Sequence, residues 1–441
     1  MDFLIDKRFE GIIPFKEKVW LASPTKHKRE ELDYIEDAFE KNWLTTSGDN
    51  VNVMEELACR YIGVPYSVGL TNGTAALHMA VKLAAEKLYN SHTGTSTPDR
   101  MGLGGSLLGK RVFCANITFD ASVNPIIYEG GEPIFVDSEY ETWNMDPKAL
   151  EKAFELYPDV KIVMLVHLYG TPAKLDEIKA ICEKHRAILI EDAAEALGAI
   201  YKDKPVGSFG DYSAISFNGN RIITGSAGGQ ILLHDEYSAE KVKKWSTQSR
   251  EKADWYEHEE LGYNYRISNL IAGMIRGQWP HLKEHIAQKK AIYGRYMEGF
   301  KNLPVTMNPI NEAESEPNYW LSCLLIDKEA MEPTSRSDRG YTYNSEPGKS
   351  CPSEILEALK AFNAEGRPIW KPMSSQPIFR SYPYITVNGN CRGNSNAYTD
   401  VNSNIDISAD IFERGLCLPS DNKMKPEEQD RVIEIVKRCF D

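Results

Sequence analysis

Between residues 66 and 233, short apolar runs alternate with segments of helical pattern, and nothing else in the chain narrows its fold as far. "YSVGLT", "RVFCAN", "EPIFVD", "KIVMLVHLYG", "RAILIED" and "YSAISF" are short and apolar, with many β-branched residues. Between them lie "TAALHMAVKLAAEKLY", "PKALEKAFELY" and "AKLDEIKAICEKH", whose apolar residues recur at helical spacing. Strands alternating with helices predict a doubly wound, mainly parallel α/β sheet. "GGQILLHD" reads as one further strand, and the helices become longer and more polar from about residue 236. This divides the chain into an N-terminal arm (1–30), a large α/β domain (31–261) and a smaller C-terminal domain (262–441). A helix is predicted over "KREELDYIEDAFEKN", with Leu32, Ile35 and Phe39 on one face. The Gly-, Ser-, Asn- and Pro-rich segments 90–109, 331–350 and 382–405 read as surface loops.

The net charge of −13 argues against nucleic acid or an anionic membrane as a partner. No apolar stretch is long enough to span a bilayer, and "MDFLIDKRFEGIIPF" lacks the pattern of a signal peptide. The eight cysteines are scattered with no CxxC, which fits reduced thiols in a cytoplasmic protein and gives metal ligation no support. Gly104 to Lys110 spells GxxxxGK. It continues into Arg111 and precedes a strand instead of following one, so it reads as a loop. His281 and His285 stand four apart on a predicted helix. Without a third donor nearby they read as a solvated face.

Ligands of open α/β sheets bind beyond the carboxyl ends of the strands. Several chemically useful residues fall at such ends. In "TNGTAALH" the amides of Gly73, Thr74 and Ala75 sit at a helix N-terminus, suited to a phosphate. Asp192, in "ILIEDAAEALGA", is placed to hold a pyridinium nitrogen protonated. Phe119 offers a ring face for stacking, and the Ser216 hydroxyl a further phosphate contact. Each of these has an ordinary structural reading: a helix cap, a core phenylalanine, a strand-to-helix turn. Their order along the chain is what makes the set specific.

With those residues in place, the chain resembles the DegT/StrS-type sugar-nucleotide aminotransferases, pyridoxal-phosphate enzymes of fold type I. The resemblance runs through "TNGTAALHMAV", "ITFDASVNPI", "IEDAAEALGA", "GSFGDYSAISFNGN", "GYNYRISN" and "RPIWKPM". It is close to the branch that aminates 4-keto-6-deoxy UDP-sugars. It implies a seven-stranded, mainly parallel sheet in the large domain and a smaller C-terminal α+β domain. It also implies a homodimer with shared active sites, glutamate as amino donor, and pyridoxal or pyridoxamine 5'-phosphate as cofactor. Thr74, Ala75 and Ser216 would bind the cofactor phosphate, Phe119 would stack on the ring, Asp192 would pair with the ring nitrogen, and Glu195 would approach the ring hydroxyl. Asn264 would reach the phosphate from the partner subunit. Lys371 and the position of Ser374 would lie near the nucleotide sugar.

Two residues depart from the family's pattern. The family writes S-F-x-x-x-K, and its lysine forms the Schiff base with the cofactor; the sixth residue here is Arg221. A guanidinium stays protonated in proteins, so it serves neither as the amine nucleophile nor as a proton shuttle. The second departure is Ser374, where the family usually has histidine. The expectation is an aminotransferase whose turnover is abolished or very low. The alternative is a non-catalytic binder of pyridoxamine phosphate or a nucleotide sugar. Arg221 reads either as one change made to a competent enzyme or as divergence, and Ser374 favours divergence. A branch with histidine at the lysine position ranks below both, because arginine cannot do that histidine's base work.

Overall fold

A computed structural model describes residues 3–27, 29–89, 105–311, 313–337, 340–392 and 406–441. The GxxxxGK motif begins at Gly104, outside the described residues, as do most of segment 90–109 and residues 393–405. After the docked N-terminal arm come helices α1 (Arg29–Glu40) and α2 (Asp49–Ile62). The main strands then follow: β1 (Tyr66–Leu70), β2 (Arg111–Ala115), β3 (Glu132–Val136), β4 (Ile162–Val166) and β5 (Ile188–Asp192). They alternate with α3 (Gly73–Tyr89), α4 (Asn124–Tyr128), α5 (Pro147–Leu156) and α6 (Leu175–His185). A small hairpin, β6 (Ile200–Tyr201) and β7 (Lys204–Pro205), precedes β8 (Tyr212–Ser216), β9 (Gly229–Leu233) and α7 (Glu236–Ser246).

The seven long strands form one sheet in the order β1-β9-β8-β5-β4-β2-β3. Every pairing from β8 to β3 is parallel, and β9 runs antiparallel to both its neighbours. β4 and β5 alternate their side chains between two cores, as a sheet covered on both faces must. Val163, Leu165 and Leu189 pack with α2, α5, α6 and α8 (Asn269–Gln278). Ile162, Met164 and Ile190 pack with α3, α4 and α7.

The remaining elements are α9 (Leu282–Phe300), β10 (Val305–Met307), β11 (Ser315–Glu316), β12 (Cys323–Ile326), β13 (Thr334–Arg336) and β14 (Tyr341–Tyr343). After these come α10 (Pro352–Ala361), β15 (Arg367–Pro368), β16 (Pro383–Thr386), β17 (Gly389–Arg392), α11 (Ile407–Arg414), β18 (Gly415–Cys417) and α12 (Pro426–Arg438). A second sheet, β10-β12-β18-β15, shares a core with α9, α10 and α12. Phe3, Phe9, Phe15 and Val19 of the arm complete that core.

Two segments read as loops contain strands. β13 and β14 pair within 331–350. β16 and β17 form a hairpin within 382–405, and β16 runs parallel to β3, so among the described residues the large sheet has nine strands. The turn signal "VNGN" between β16 and β17 is masked by the polar composition around it. The predicted first helix forms, but it buries Glu31 and Ala38 and leaves Leu32 and Phe39 exposed. Among the described residues, no helix is long and apolar enough to cross a membrane.

Candidate cofactor and substrate site

The carboxyl ends of β1, β2, β4, β5 and β8 border a cavity of about 260 Å³. Gly73 opens α3 there, with Ser216 opposite. A Cβ at position 73 would lie 3.0 Å from the Ser216 Cβ. Only glycine lets the helix N-terminus come this close to the end of β8. Gly73, Thr74 and Ser216 all line the cavity, where the helix end favours an anion. Ala75 does not line it: its amide donates to Asn72 Oδ1 at 2.8 Å, a helix cap. The spacing could not reveal that the amide was already taken.

Asp192 ends β5 at the floor of the cavity. Ser122 Oγ donates to it at 2.6 Å and the Ala194 amide at 3.1 Å. Burial pushes its carboxyl above the usual range, and the Ser122 hydroxyl opposes that. Its neighbour Glu191 points away from the site and is fully buried. Glu191 accepts from the amides of Gly207, Phe209 and Gly210 and from Ser213 Oγ, at 2.6 to 3.0 Å. His167 Nε2 lies 3.0 Å from its Oε1. This carboxylate ties the turn before β8 to β5 and so fixes where Ser216 stands.

Glu195 is buried beside Asp192. Its Oε2 accepts from the Tyr169 amide at 2.7 Å, and its Oε1 lies 3.4 Å from Arg221 Nη1. Burial raises its pKa to about 7, against the pull of Arg221. The Arg221 guanidinium also sits over the Trp320 ring, 4.5 Å from its centroid. Its side chain is 13% exposed, and its buried Nε has no hydrogen-bond partner. Position 221 therefore holds a cation pinned between a carboxylate and an indole. No lysine lines this cavity among the described residues.

Phe119, 54% exposed, lines the cavity with its ring 5.7 Å from that of Trp370. Phe119, Asn218, Arg221 and Trp370 also line a second cavity of about 730 Å³. That larger space is bordered by Trp20, Trp320, Arg367 and Lys371. Ser374 lines neither cavity; it is buried, and its amide donates to Asn116 Oδ1 at 2.9 Å. Asn264 is exposed and lines neither cavity of its own chain.

Sequence reasoning missed Trp20, Asn218, Trp320 and Arg367. Trp20 and Trp320 arrive from the arm and from beyond residue 262, and no local spacing links them to β8. Trp370 lies in the quoted "RPIWKPM" and was within reach.

A family model for the DegT/DnrJ/EryC1/StrS aminotransferase family matches residues 25–437. The chain is 36% identical over 429 residues to EpsN of Bacillus subtilis (strain 168), covering 96% of each; that protein's name assigns it provisionally as a pyridoxal phosphate-dependent aminotransferase. It is 30% identical over 351 residues to a GDP-perosamine synthase of Caulobacter vibrioides, covering 79% of this chain and 84% of that one. In structure it is similar to Helicobacter pylori PseC, an aminotransferase of pseudoaminic acid biosynthesis. The TM-score is 0.77 at 19% identity, over 96% of this chain and 99% of that one.

Proposed function

The chain belongs to the DegT/DnrJ/EryC1/StrS aminotransferase family, and on that premise we propose that it binds pyridoxal or pyridoxamine 5'-phosphate without a covalent link. Aminotransferases of this family use pyridoxal phosphate. The cofactor supplies an electron-withdrawing ring when bound. The residues present fit such a ligand non-covalently. Gly73, Thr74 and Ser216 would hold the phosphate, Asp192 the ring nitrogen and Phe119 a ring face. Glu195 would approach the ring hydroxyl. They do not fit covalent anchorage, because Arg221 fills the anchoring position and, among the described residues, no lysine lines the cavity. The observation carrying this reading is the Arg221 side chain itself, held between Glu195 and Trp320.

The larger cavity is the proposed pocket for a nucleotide sugar. Trp20 and Trp370 offer aromatic faces there, and Arg367 and Lys371 offer positive charge for phosphates. In a competent relative, glutamate would supply the amino group that passes to a 4-keto-6-deoxy sugar. Here Arg221 can orient an anion but cannot give up a proton, so turnover is abolished or very low. The second reading, a non-catalytic binder of pyridoxamine phosphate or a nucleotide sugar, is favoured by the ion pair that accommodates Arg221. We further propose a cytoplasmic homodimer in which Asn264 serves the partner's cavity.

The test is an absorbance spectrum with pyridoxal phosphate, borohydride reduction and an intact mass, on the Arg221 protein and on Arg221→Lys. The Arg221 protein is expected to bind without a reduced adduct. Arg221→Lys is expected to give the adduct and to regain transamination with glutamate. An adduct on the Arg221 protein would overturn non-covalent binding. A folded, cofactor-loaded Arg221→Lys protein that stays inactive would leave only the binder.

A further inference from the structure

Of the two histidines four apart, His281 meets two further donors that the spacing did not reveal. His27, in the arm, and Glu30, at the start of α1, come against it. One donor atom each from His27, Glu30 and His281 lie within 4.8 Å of one another. The His27 and His281 rings stack with centroids 3.4 Å apart and planes 2° apart. His281 Nε2 and Glu30 Oε2 are in direct contact.

The hydrogen bonds around the cluster decide which nitrogens face inward. His285 Nδ1 lies 2.7 Å from the Ile222 carbonyl, which can only accept, so Nδ1 carries a proton. In the neutral ring His285 Nε2 is then a lone pair, 2.8 Å from His27 Nε2. His27 must donate there, which leaves its Nδ1 as a lone pair. His281 Nδ1 lies 3.3 Å from a Glu284 carboxylate oxygen, which leaves its Nε2 facing Glu30. Each ligand imidazole thus has its other nitrogen held by an outer partner, the arrangement that orients histidines on metal ions. A tetrahedral zinc ion with bonds of about 2.0–2.1 Å needs donors about 3.4 Å apart; imidazole lone pairs lie in the ring plane, so one of the two stacked rings has to turn out of the stack for both to meet one ion. Glu30 is 53% exposed and His281 20%, so an ion can enter from solvent.

We propose that His27, Glu30 and His281 bind a divalent transition ion of the zinc class, with His285 and Glu284 positioning the ligands. The ion would join the N-terminal arm to the start of α9. Through the His285–Ile222 bond it would also brace the segment that follows Arg221. The site stands apart from the cofactor cavity and does not depend on aminotransfer.

The experiment uses the full chain, stripped with chelator, incubated with Zn²⁺ and passed through metal-free buffer. Retained zinc is then measured, with Co²⁺ as a spectroscopic probe of coordination. One equivalent per chain is expected, together with a Co²⁺ spectrum of a four-coordinate site and a melting temperature that rises with Zn²⁺. His27→Ala, His281→Gln and Glu30→Gln should each lose that equivalent and the rise in melting temperature. Glu284→Gln should bind roughly 10–100-fold more weakly. Glu30 and Glu284 are exposed enough for their variants to fold, which keeps the test decisive if His27→Ala does not. No retained zinc in the unsubstituted protein, or binding unchanged in Glu30→Gln and His281→Gln, would overturn the site.

Discussion

Asp192 and Glu195 are buried carboxylates three residues apart with different surroundings. Asp192 accepts from Ser122 Oγ and the Ala194 amide, and under the proposed function it would face the cofactor's ring nitrogen. A hydrogen bond to a charged group contributes about 1.5–3 kcal/mol. Asp192→Asn should therefore weaken pyridoxal phosphate binding roughly 10–100-fold with the fold retained; a spectroscopic titration alongside a melting curve checks this. Glu195, facing Tyr169 and Arg221, has its pKa raised by burial from 4.5 to about 7. Between those values the folded protein holds a proton that the unfolded chain releases. Its contribution to stability is full below pH 4.5 and is lost as the pH rises through 7. Relative to Glu195→Gln, which has no such proton, the unsubstituted protein should lose melting temperature across that window. A flat difference between the two would mean that Glu195 is ionised throughout.

At the scale of elements, the site depends on how closely α3 and β9 approach. A Cβ at Gly229 would lie 2.4 Å from the Asn72 carbonyl carbon. The atoms it meets are backbone, at the turn that starts α3, and cannot rotate aside. Gly229→Ala should cost about 1–3 kcal/mol, as overpacking does, and should weaken cofactor binding by shifting Gly73 and Thr74. Denaturant midpoints and a cofactor titration on one preparation report both effects. Most of the elements were legible as periodicity: apolar runs gave β1 to β5, β8 and β9. The hairpin β16–β17 was not, because a strand pairing with β3 across more than two hundred residues leaves no local mark in a polar segment.

At the scale of the molecule, the first helix and the segment after it turn apolar residues outward. Leu32 is 47% exposed, Phe39 57%, Trp43 49% and Leu44 45%. Under the proposed homodimer these residues are covered by the partner. Leu32→Asp with Phe39→Asp should shift the protein to monomer in light scattering. It should also lower cofactor retention, because Asn264 would no longer reach the neighbouring cavity. A dimer that survives both substitutions would place the interface elsewhere.

The chain's periodicity and the types of residue at its strand ends were enough to determine a doubly wound sheet, a glycine turn at Gly73, a carboxylate at Asp192 beyond a strand end, and arginine at 221 where the family's pattern has lysine. These are local properties, set by spacing along one strand or one turn. Only the tertiary structure decided what Arg221 touches, since Glu195 and Trp320 approach it from 26 residues before and from far beyond it in the chain. It also decided that Ala75 is spent on a cap, that Ser374 lies outside both cavities, and that His27 and Glu30 meet His281. Contacts between residues distant in sequence depend on how layers pack, and no single stretch of the chain encodes that packing.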